Sequence, residues 1–581
     1  MNLDPNNKEF NLAVELVKYT SYNLFLTGKA GTGKTTFLRY IKDTIEKPMA
    51  IVAPTGVAAI NAGGVTIHSL FQIKPSVYSP NDPRLRRSAK GDSTDKSTIY
   101  SHFKLSDEKK EVLQKFEVLV IDEISMVRCD LLDVVDRLLR VFGGGNAAYP
   151  FGGKQVIFIG DAFQLPPVTP DEEWKVLAPH YPSSYFFSSH SFQEAKPHLV
   201  ELKKIYRQSD QKFIDLLNEI RIGQPSEQSL QSLNKRLKKS PFDFAREGYI
   251  YLGTKNYPVN KCNAEELKKL STLLFRFEAE VTGVFNEKEM PTLRILELKK
   301  DAQVMFIKND SGTNRRFYNG KIGKVVSINE DAIGVKCEGE PSIEVIRVTW
   351  RKIKYEWDAE EGRLKEEEIG TFTQFPLKLA WAITVHKSQG LTFEKVYADL
   401  NGAFSDGQVY VALSRCTTFE GLKLASILRS WDVKTAPIVK DFASQYLESR
   451  EIEKLLEDIK FERLEQEINL FLNEAKTAEA LEKILSVFRE SPEYLSRLTP
   501  AMDKVFQQFL ALASEKAELE EVLEEIVAAF EVLQEQRDLL NREVEQRREN
   551  QEILENELSR LRRRKWWEVL LGRWKEWFGG A

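Results

Sequence analysis

The chain is poor in the features that would tie it to several common protein classes. Its four cysteines, Cys129, Cys262, Cys337 and Cys416, lie far apart with no Cys-x-x-Cys pair. That spacing argues against a zinc site or a disulfide framework and fits a reducing compartment. No apolar run approaches the ~18 residues of a membrane span, and the opening MNLDPNNKEF is polar and acidic, unlike a secretory leader. A basic excess is also missing: 83 Lys and Arg face 87 Asp and Glu, for a net charge of −4 and a pI near 6.1. The total charge therefore argues against a nucleic-acid partner, and only a local stripe of cations could restore one.

What is present points to several soluble domains, because 581 residues exceed one hydrophobic core. From Tyr22 to about Ser189, short apolar runs (24–26, 49–53, 118–121, 156–159) are bounded by Gly, Pro or Asp and separated by helical stretches. They predict buried strands of a parallel α/β sheet. Residues 74–110 interrupt that rhythm with Pro, Ser, Asp and Lys and read as an excursion from the sheet. A second alternating stretch starts near His198 and resumes at 249–252, 375–383 and 396–400. Inside it, β-branched runs at 303–307, 321–328, 332–337 and 343–350 predict a small inserted β-barrel over 302–370. After about Glu448 the composition shifts to Glu, Leu, Lys, Arg and Gln. A 3,4-spaced seam through Leu519, Leu523, Ile526, Phe530, Leu533 and Leu540 predicts a coiled coil. The chain closes on a basic, Trp-rich peptide, RRRKWWEVLLGRWKEWF at 562–578.

Three loops carry chemistry. GKAGTGKT at 28–35 stands between a strand and a helix, the setting a phosphate loop requires. Gly28, Gly31 and Gly33 let backbone N–H groups converge on a β-phosphate, Lys34 reaches β/γ oxygens, and the Thr35 hydroxyl suits Mg²⁺. IDEIS at 121–125 ends a strand, so Asp122 is placed to hold Mg²⁺ and Glu123 to take a proton from an attacking water. GDAFQLPPV at 160–168 offers Gln164 as a γ-phosphate sensor. Arg207 in IYRQ and Arg415 in VALSRC could reach across a domain cleft toward charge developing on the phosphoryl group. APTGVAAINAGGVTIHS at 53–69 and WAITVHKSQGLTF at 381–393 each follow a strand. Their small residues and hydroxyls suit backbone phosphates without reading bases.

In order along residues 1–445, these elements resemble the motif set of superfamily 1B helicases, specifically the Pif-type family; EISMVRCDLLDVVDRLL at 123–139 and PFGGKQVIFIGDAFQLPPV at 150–168 are similar to its signatures. The resemblance implies two RecA-like P-loop NTPase domains, 1–190 with insertion 74–110 and 191–445 with the barrel 302–370, followed by a helical region 446–561 and an amphipathic tail 562–581. It implies an ATP- and Mg²⁺-dependent 5′→3′ DNA helicase acting on single-stranded and duplex or forked DNA in genome maintenance, expected in a bacterial-type cytosol or nucleoid. It adds Ala30, Thr32, Thr36, Gln389 and Gly390 to the ATP set, with Pro54, Thr55, Gly56, His68, Ser69, Thr384, His386 and Lys387 on the DNA backbone. One departure stands out: a Gln that reads adenine in the family is replaced here by Asn7. Two other readings compete, a RecD-like subunit of a helicase complex and an ATP-regulated scaffold. The C-terminal region is expected to serve self-association, partner docking or a membrane surface.

Overall fold

The computed structural model describes residues 7–473 apart from 89–96, 209, 239–241, 286, 288–289, 309, 311–315, 318, 320 and 359–362, together with Arg542 and Gln546. The chain divides into two compact units, Met1–Glu453 and Lys454–Ala581. In the second, residues 454–473 continue the 25-residue helix Ser449–Asn473. The coiled-coil seam and the Trp-rich tail lie outside the described residues. Among the described residues no helix is long and apolar enough to cross a membrane.

The first unit is built on two parallel sheets. Strands β1 (Leu24–Gly28), β2 (Met49–Ala53), β3 (Val65–Thr66), β4 (Val118–Ile121), β5 (Gln155–Ile159) and β6 (His198–Leu202) form one six-stranded sheet in the order β3-β2-β4-β5-β1-β6. Every residue of β1, β4 and β5 is buried, the continuous apolar pattern of strands covered on both faces. Helix Cys129–Phe142 covers one face through Leu132, Val135, Leu138, Leu139 and Phe142. β6 corrects the expected boundary at residue 190. It pairs in parallel with β1, Leu24 opposite His198 and Leu26 opposite Val200, so the first domain runs through Leu202.

Residues 74–110 contribute no strand among those described; the 3-10 turn Pro83–Leu85 and helix Ile99–His102 lie there, with the start of helix Asp107–Lys115. The excursion is pinned where the N–H of Tyr78 donates to Asp130 Oδ2 at 3.1 Å and Arg84 lies 4.3 Å over the Tyr78 ring.

The second sheet comprises β7 (Ile250–Gly253), β18 (Ala382–Thr384), β19 (Val396–Asp399) and β20 (Leu422–Leu424), all parallel, in the order β18-β7-β19-β20. Between β7 and β18 the chain departs into antiparallel strands: β8 (Leu274–Glu278), β9 (Glu280–Gly283), β10 (Ile295–Lys299), β11 (Gln303–Phe306), β12 (Ile322–Ile328), β13 (Ala332–Lys336), β14 (Ser342–Ile346), β15 (Val348–Asp358), β16 (Arg363–Gln374) and β17 (Leu377–Leu379). They pair as a five-stranded sheet β14-β13-β12-β11-β17, a three-stranded sheet β15-β16-β9 and the ladder β10-β8. The antiparallel run thus spans Leu274–Leu379, wider than 302–370. β14 shows the alternation of a half-buried sheet, Ile343 and Val345 inward, Ser342, Glu344 and Ile346 outward. The expected strand 375–383 divides, since Leu377–Leu379 pair antiparallel with β11 and Ala382–Thr384 parallel with β7.

After the second sheet the chain returns to the first. Helix Pro437–Ala443 places Phe442 in an aromatic cluster, stacked on Phe187 at 4.3 Å between ring centres and 5.4 Å from Phe25 of β1. The N–H of Leu447 then donates to Leu199 of β6 at 2.9 Å. Phe25 is fully buried and also faces Phe186 and Phe192. Phe25→Ala should therefore cost about 3–5 kcal/mol, read as a lower midpoint of chemical unfolding; an unshifted midpoint would show that this cluster does not hold the return segment.

Candidate nucleotide site between two α/β domains

β1, β5 and β4 lie side by side and parallel, so the loops at their C-terminal ends share one edge of the sheet, where ligands of open α/β sheets bind. The loop after β1 turns through left-handed backbone at Gly31 (φ 83°) and Gly33 (φ 95°) before helix Lys34–Thr44. At Gly31 a side chain has no room: a Cβ would lie 2.2 Å from Arg207 Cβ. The loop carbonyl of Gly31 also accepts the N–H of Tyr206 at 2.8 Å. The phosphate loop and the segment carrying Arg207 are thus packed backbone to backbone. Lys34 Nζ donates to the loop's own carbonyls, Gly28 at 2.5 Å and Lys29 at 3.2 Å.

The loop after β4 carries a strained residue. Glu123 has φ 51° and ψ 43°, left-handed for a non-glycine, a conformation that costs about 1–3 kcal/mol and concentrates at functional sites. Asp122 beside it is half-buried, and burial together with the Glu123 charge raises its carboxyl to about 7. Gln164, from the loop after β5, is buried. From the second domain Gln389 reaches both: its Nε2 donates to Glu123 Oε2 at 3.0 Å and to Gln164 Oε1 at 3.5 Å. The Gln389 Oε1 is buried without a hydrogen-bond partner among the described residues.

Both arginines singled out in the sequence border this crevice. Arg415 is 2% exposed and donates from Nε to Val411 O at 2.9 Å and from Nη1 to Ser388 O at 3.4 Å and Leu391 O at 3.3 Å. Arg207 donates from Nη1 to Ser414 O at 3.3 Å; burial and the neighbouring Arg415 push its guanidinium down to about 9. Burial likewise lowers Lys34 and Arg415. Among the described residues none of the three cations is paired with a carboxylate: each is held by backbone carbonyls. Desolvated cations without counter-ions favour a polyanion. A cavity of about 320 Å³ lined by Lys47, Phe116, Gly144 and Lys154 opens at the opposite ends of β4 and β5 and shares no residue with this crevice.

Other site residues are placed less directly. Asn7 is 4% exposed and caps helix Lys8–Tyr19, its Oδ1 accepting the N–H of Phe10 at 3.2 Å while Nδ2 donates to Tyr206 Oη at 3.2 Å. Both ends of its amide are thus engaged within the protein. Thr55 and Thr384 also spend hydroxyls locally, accepting from the N–H groups of Ala58 at 3.2 Å and Lys387 at 3.3 Å. Pro54 and Gly56 flank Thr55 at the end of β2, and His68 with the exposed Ser69 lies in helix Ile67–Phe71. His386 stacks on Phe404 at 6.4 Å, and Lys387 beside it is exposed. Burial lowers the pKa of both His386 and His68, the latter helped by Arg128, and so favours the neutral imidazole in each. The sequence showed neither the Gln389 bridge nor the Glu123 backbone.

Two parallel α/β domains with a phosphate loop, an Asp-Glu strand end and cations from both domains at one crevice define a P-loop NTPase of two RecA-like domains. The comparisons are specific. A family model described as PIF1-like helicase matches residues 5–231. The ATP-dependent DNA helicase Pif1 of Bdellovibrio bacteriovorus is 32% identical over 426 residues, covering 71% of this chain and 86% of that protein. The human ATP-dependent DNA helicase PIF1 is 32% identical over 434 residues, 72% of this chain; the chain spans 61% of that relative's length. Two crystal structures of Bacteroides Pif1, each 38% identical, align with nearly all of their length. The complex with ADP-AlF4 has a TM-score of 0.69 over 76% of this chain and 97% of that one; the complex with single-stranded DNA has 0.53 over 77% and 97%. The chain belongs to the Pif1-type helicase family.

Gly31→Ala tests the packing of the loop against Arg207. It should abolish ATP turnover, because the new methyl group displaces the Arg207 segment and strains a left-handed residue. Wild-type turnover by this variant would show that the two segments are not held together in solution.

Proposed function

We propose that the chain is an ATP-dependent DNA helicase that translocates 5′→3′ on single-stranded DNA and unwinds duplexes or forks in genome maintenance. The observation that carries this reading is the convergence of Lys34, Arg207 and Arg415, unpaired with any described carboxylate, on Glu123 and Gln164. Such a crevice fits a triphosphate. In this reading the N–H groups around Gly28–Thr36 cradle the phosphates, Lys34 holds the β/γ oxygens, and Gly390 with Gln389 closes the site from the second domain. Thr35 and Asp122 would hold Mg²⁺, which supplies charge neutralisation at the β/γ oxygens. Glu123 accepts a proton from the attacking water, and Gln164 senses the terminal phosphate. Arg207 and Arg415 leave their backbone carbonyls to meet charge that develops in the transition state.

For the strand, Pro54, Thr55, Gly56, His68 and Ser69 of the first domain and Thr384, His386 and Lys387 of the second would hold its phosphates. Residues 74–110 would act at the fork and the antiparallel insertion as a barrel flanking it. The relatives' names and the DNA complex of Bacteroides Pif1 support this reading. Residues 446–578 would tether or recruit the motor, by self-association or by docking on a partner or membrane surface. Asn7 would bond adenine only by giving up a contact it now makes, so base selectivity is expected to be looser than phosphate binding.

Partial duplexes test the assignment. A substrate with only a 5′ single-stranded tail should be unwound and one with only a 3′ tail should not; the opposite preference would remove the chain from this polarity. Glu123→Gln should retain ATP binding and lose about 10²–10⁴-fold in turnover, whereas near-normal turnover would exclude Glu123 as the base. Because burial favours the neutral forms of His68 and His386, affinity for single-stranded DNA should be the same at pH 7 and pH 8 in titrations at fixed salt. A fall over that range that disappears in His68→Gln or His386→Gln would mean that the replaced histidine carries charge on the strand.

A further inference from the structure

Several side chains outside the nucleotide set join the two domains beneath it. Helix Gln408–Leu413 of the second domain touches two loops of the first. At its start, Gly407 lies so close to the loop after β5 that a Cβ would stand 2.4 Å from the carbonyl oxygen of Phe163 and 2.6 Å from that of Gln164. One turn later the buried Tyr410 hydroxyl accepts the N–H of Ala30, in the phosphate loop, at 3.1 Å.

Helix Gln211–Arg221, also of the second domain, ends on the loop that carries Gln164. Arg221 Nη2 donates to Asp161 Oδ1 at 2.9 Å, and Nη1 stands 3.2 Å from Glu201 Oε1 of β6. The guanidinium lies 4.1 Å over the Phe163 ring. Asp161 Oδ1 also accepts the N–H of Phe163 at 3.2 Å, so the carboxylate ties Arg221 to the backbone of its own loop. Arg221 is 6% exposed and Asp161 1%. Asp161 Oδ2 and Arg221 Nε have no hydrogen-bond partner among the described residues. A buried pair with unsatisfied atoms adds little net stability over an apolar pair of the same shape. Its use is in fixing where the loop sits.

We propose that Tyr410 and Arg221 are positioning residues through which the second domain sets the two nucleotide-facing loops of the first. Tyr410 sets the phosphate loop through Ala30, and Arg221 sets the Gln164 loop through Asp161 and Phe163. Hydrolysis then depends on domain placement even before the arginine fingers engage. The inference rests on the ATP-site reading above and adds two residues that do not themselves touch the phosphates.

Steady-state ATP turnover by the full chain at saturating oligo-dT separates these roles. Tyr410→Phe removes one oxygen at constant shape and leaves the loop less preorganised. KM for ATP should rise about fivefold, the effect of one hydrogen bond, with kcat within about twofold of wild type. Arg221→Met should lower kcat about tenfold or more, because sub-ångström placement of a reacting group governs rate, and Arg221→Lys should recover part of the loss. Should Arg221→Met fail to fold, the Tyr410 and Lys variants still decide. An unchanged KM in Tyr410→Phe overturns the proposal, as does any variant set in which melting temperature shifts while KM and kcat do not. A wild type that turns over no ATP overturns both this inference and the site reading, whereas wild-type turnover with an unaffected Tyr410→Phe variant overturns this inference alone.

Discussion

The structure turns on one electrostatic constraint. Lys34 and Arg207, both half-buried, and the buried Arg415 border one crevice, and the groups that hold them are carbonyl oxygens rather than carboxylates. Backbone dipoles can hold a desolvated cation in place, but they do not neutralise it. The lowered pKa values of all three cations express that deficit. A ligand carrying several negative charges removes it. The left-handed turns at Gly31 and Gly33 and the backbone contact between Gly31 and Tyr206 hold the loop that carries Lys34 against the segment that carries Arg207.

The same constraint explains why the site is divided between domains. Lys34, Glu123 and Gln164 stand on loops of the first sheet; Gln389 and Arg415 come from the second. The turn after β18 is the point of contact. Within a few residues it holds Thr384, His386 and Lys387, then Gln389 on Glu123, while Ser388 O accepts from Arg415. A strand bound at the first three residues would act on a 3-10 turn, His386–Ser388, whose far end touches the proposed base and one proposed finger. The strained backbone of Glu123 meets that turn from the other side. The return of the chain through Phe442 into the aromatic cluster around Phe25 anchors the end of the second domain to the first sheet.

Much of this was legible in the residues, for physical reasons. Fully buried parallel strands are short continuous apolar runs, so β1, β4 and β5 stand out, and the Gly and Asp that end them mark the chemical loops. β6 was assigned to the wrong domain because apolar pattern identifies a strand but not its neighbour; only pairing with β1 on the far edge reveals its sheet. The antiparallel insertion begins earlier than expected because Leu274 and Phe275 of β8 are exposed and its alternation is weak. Asn7 shows a different limit. Its place in the sequence matches a base-reading amide, yet a shorter side chain at a helix start caps the helix. The cross-domain pairs of Arg221, Tyr410 and Gln389 lie far apart in sequence and carry no local signature.

In the proposed motor, cations of both domains converge on a triphosphate whose hydrolysis a DNA strand controls. The most direct measurement is ATP turnover by the full-length chain with Mg²⁺, in the absence and presence of single-stranded DNA. Turnover should be slow alone and rise markedly with the strand, with no rise in a Lys34→Ala variant. Turnover that is absent in the wild type, or the same with and without the strand, would contradict that assignment.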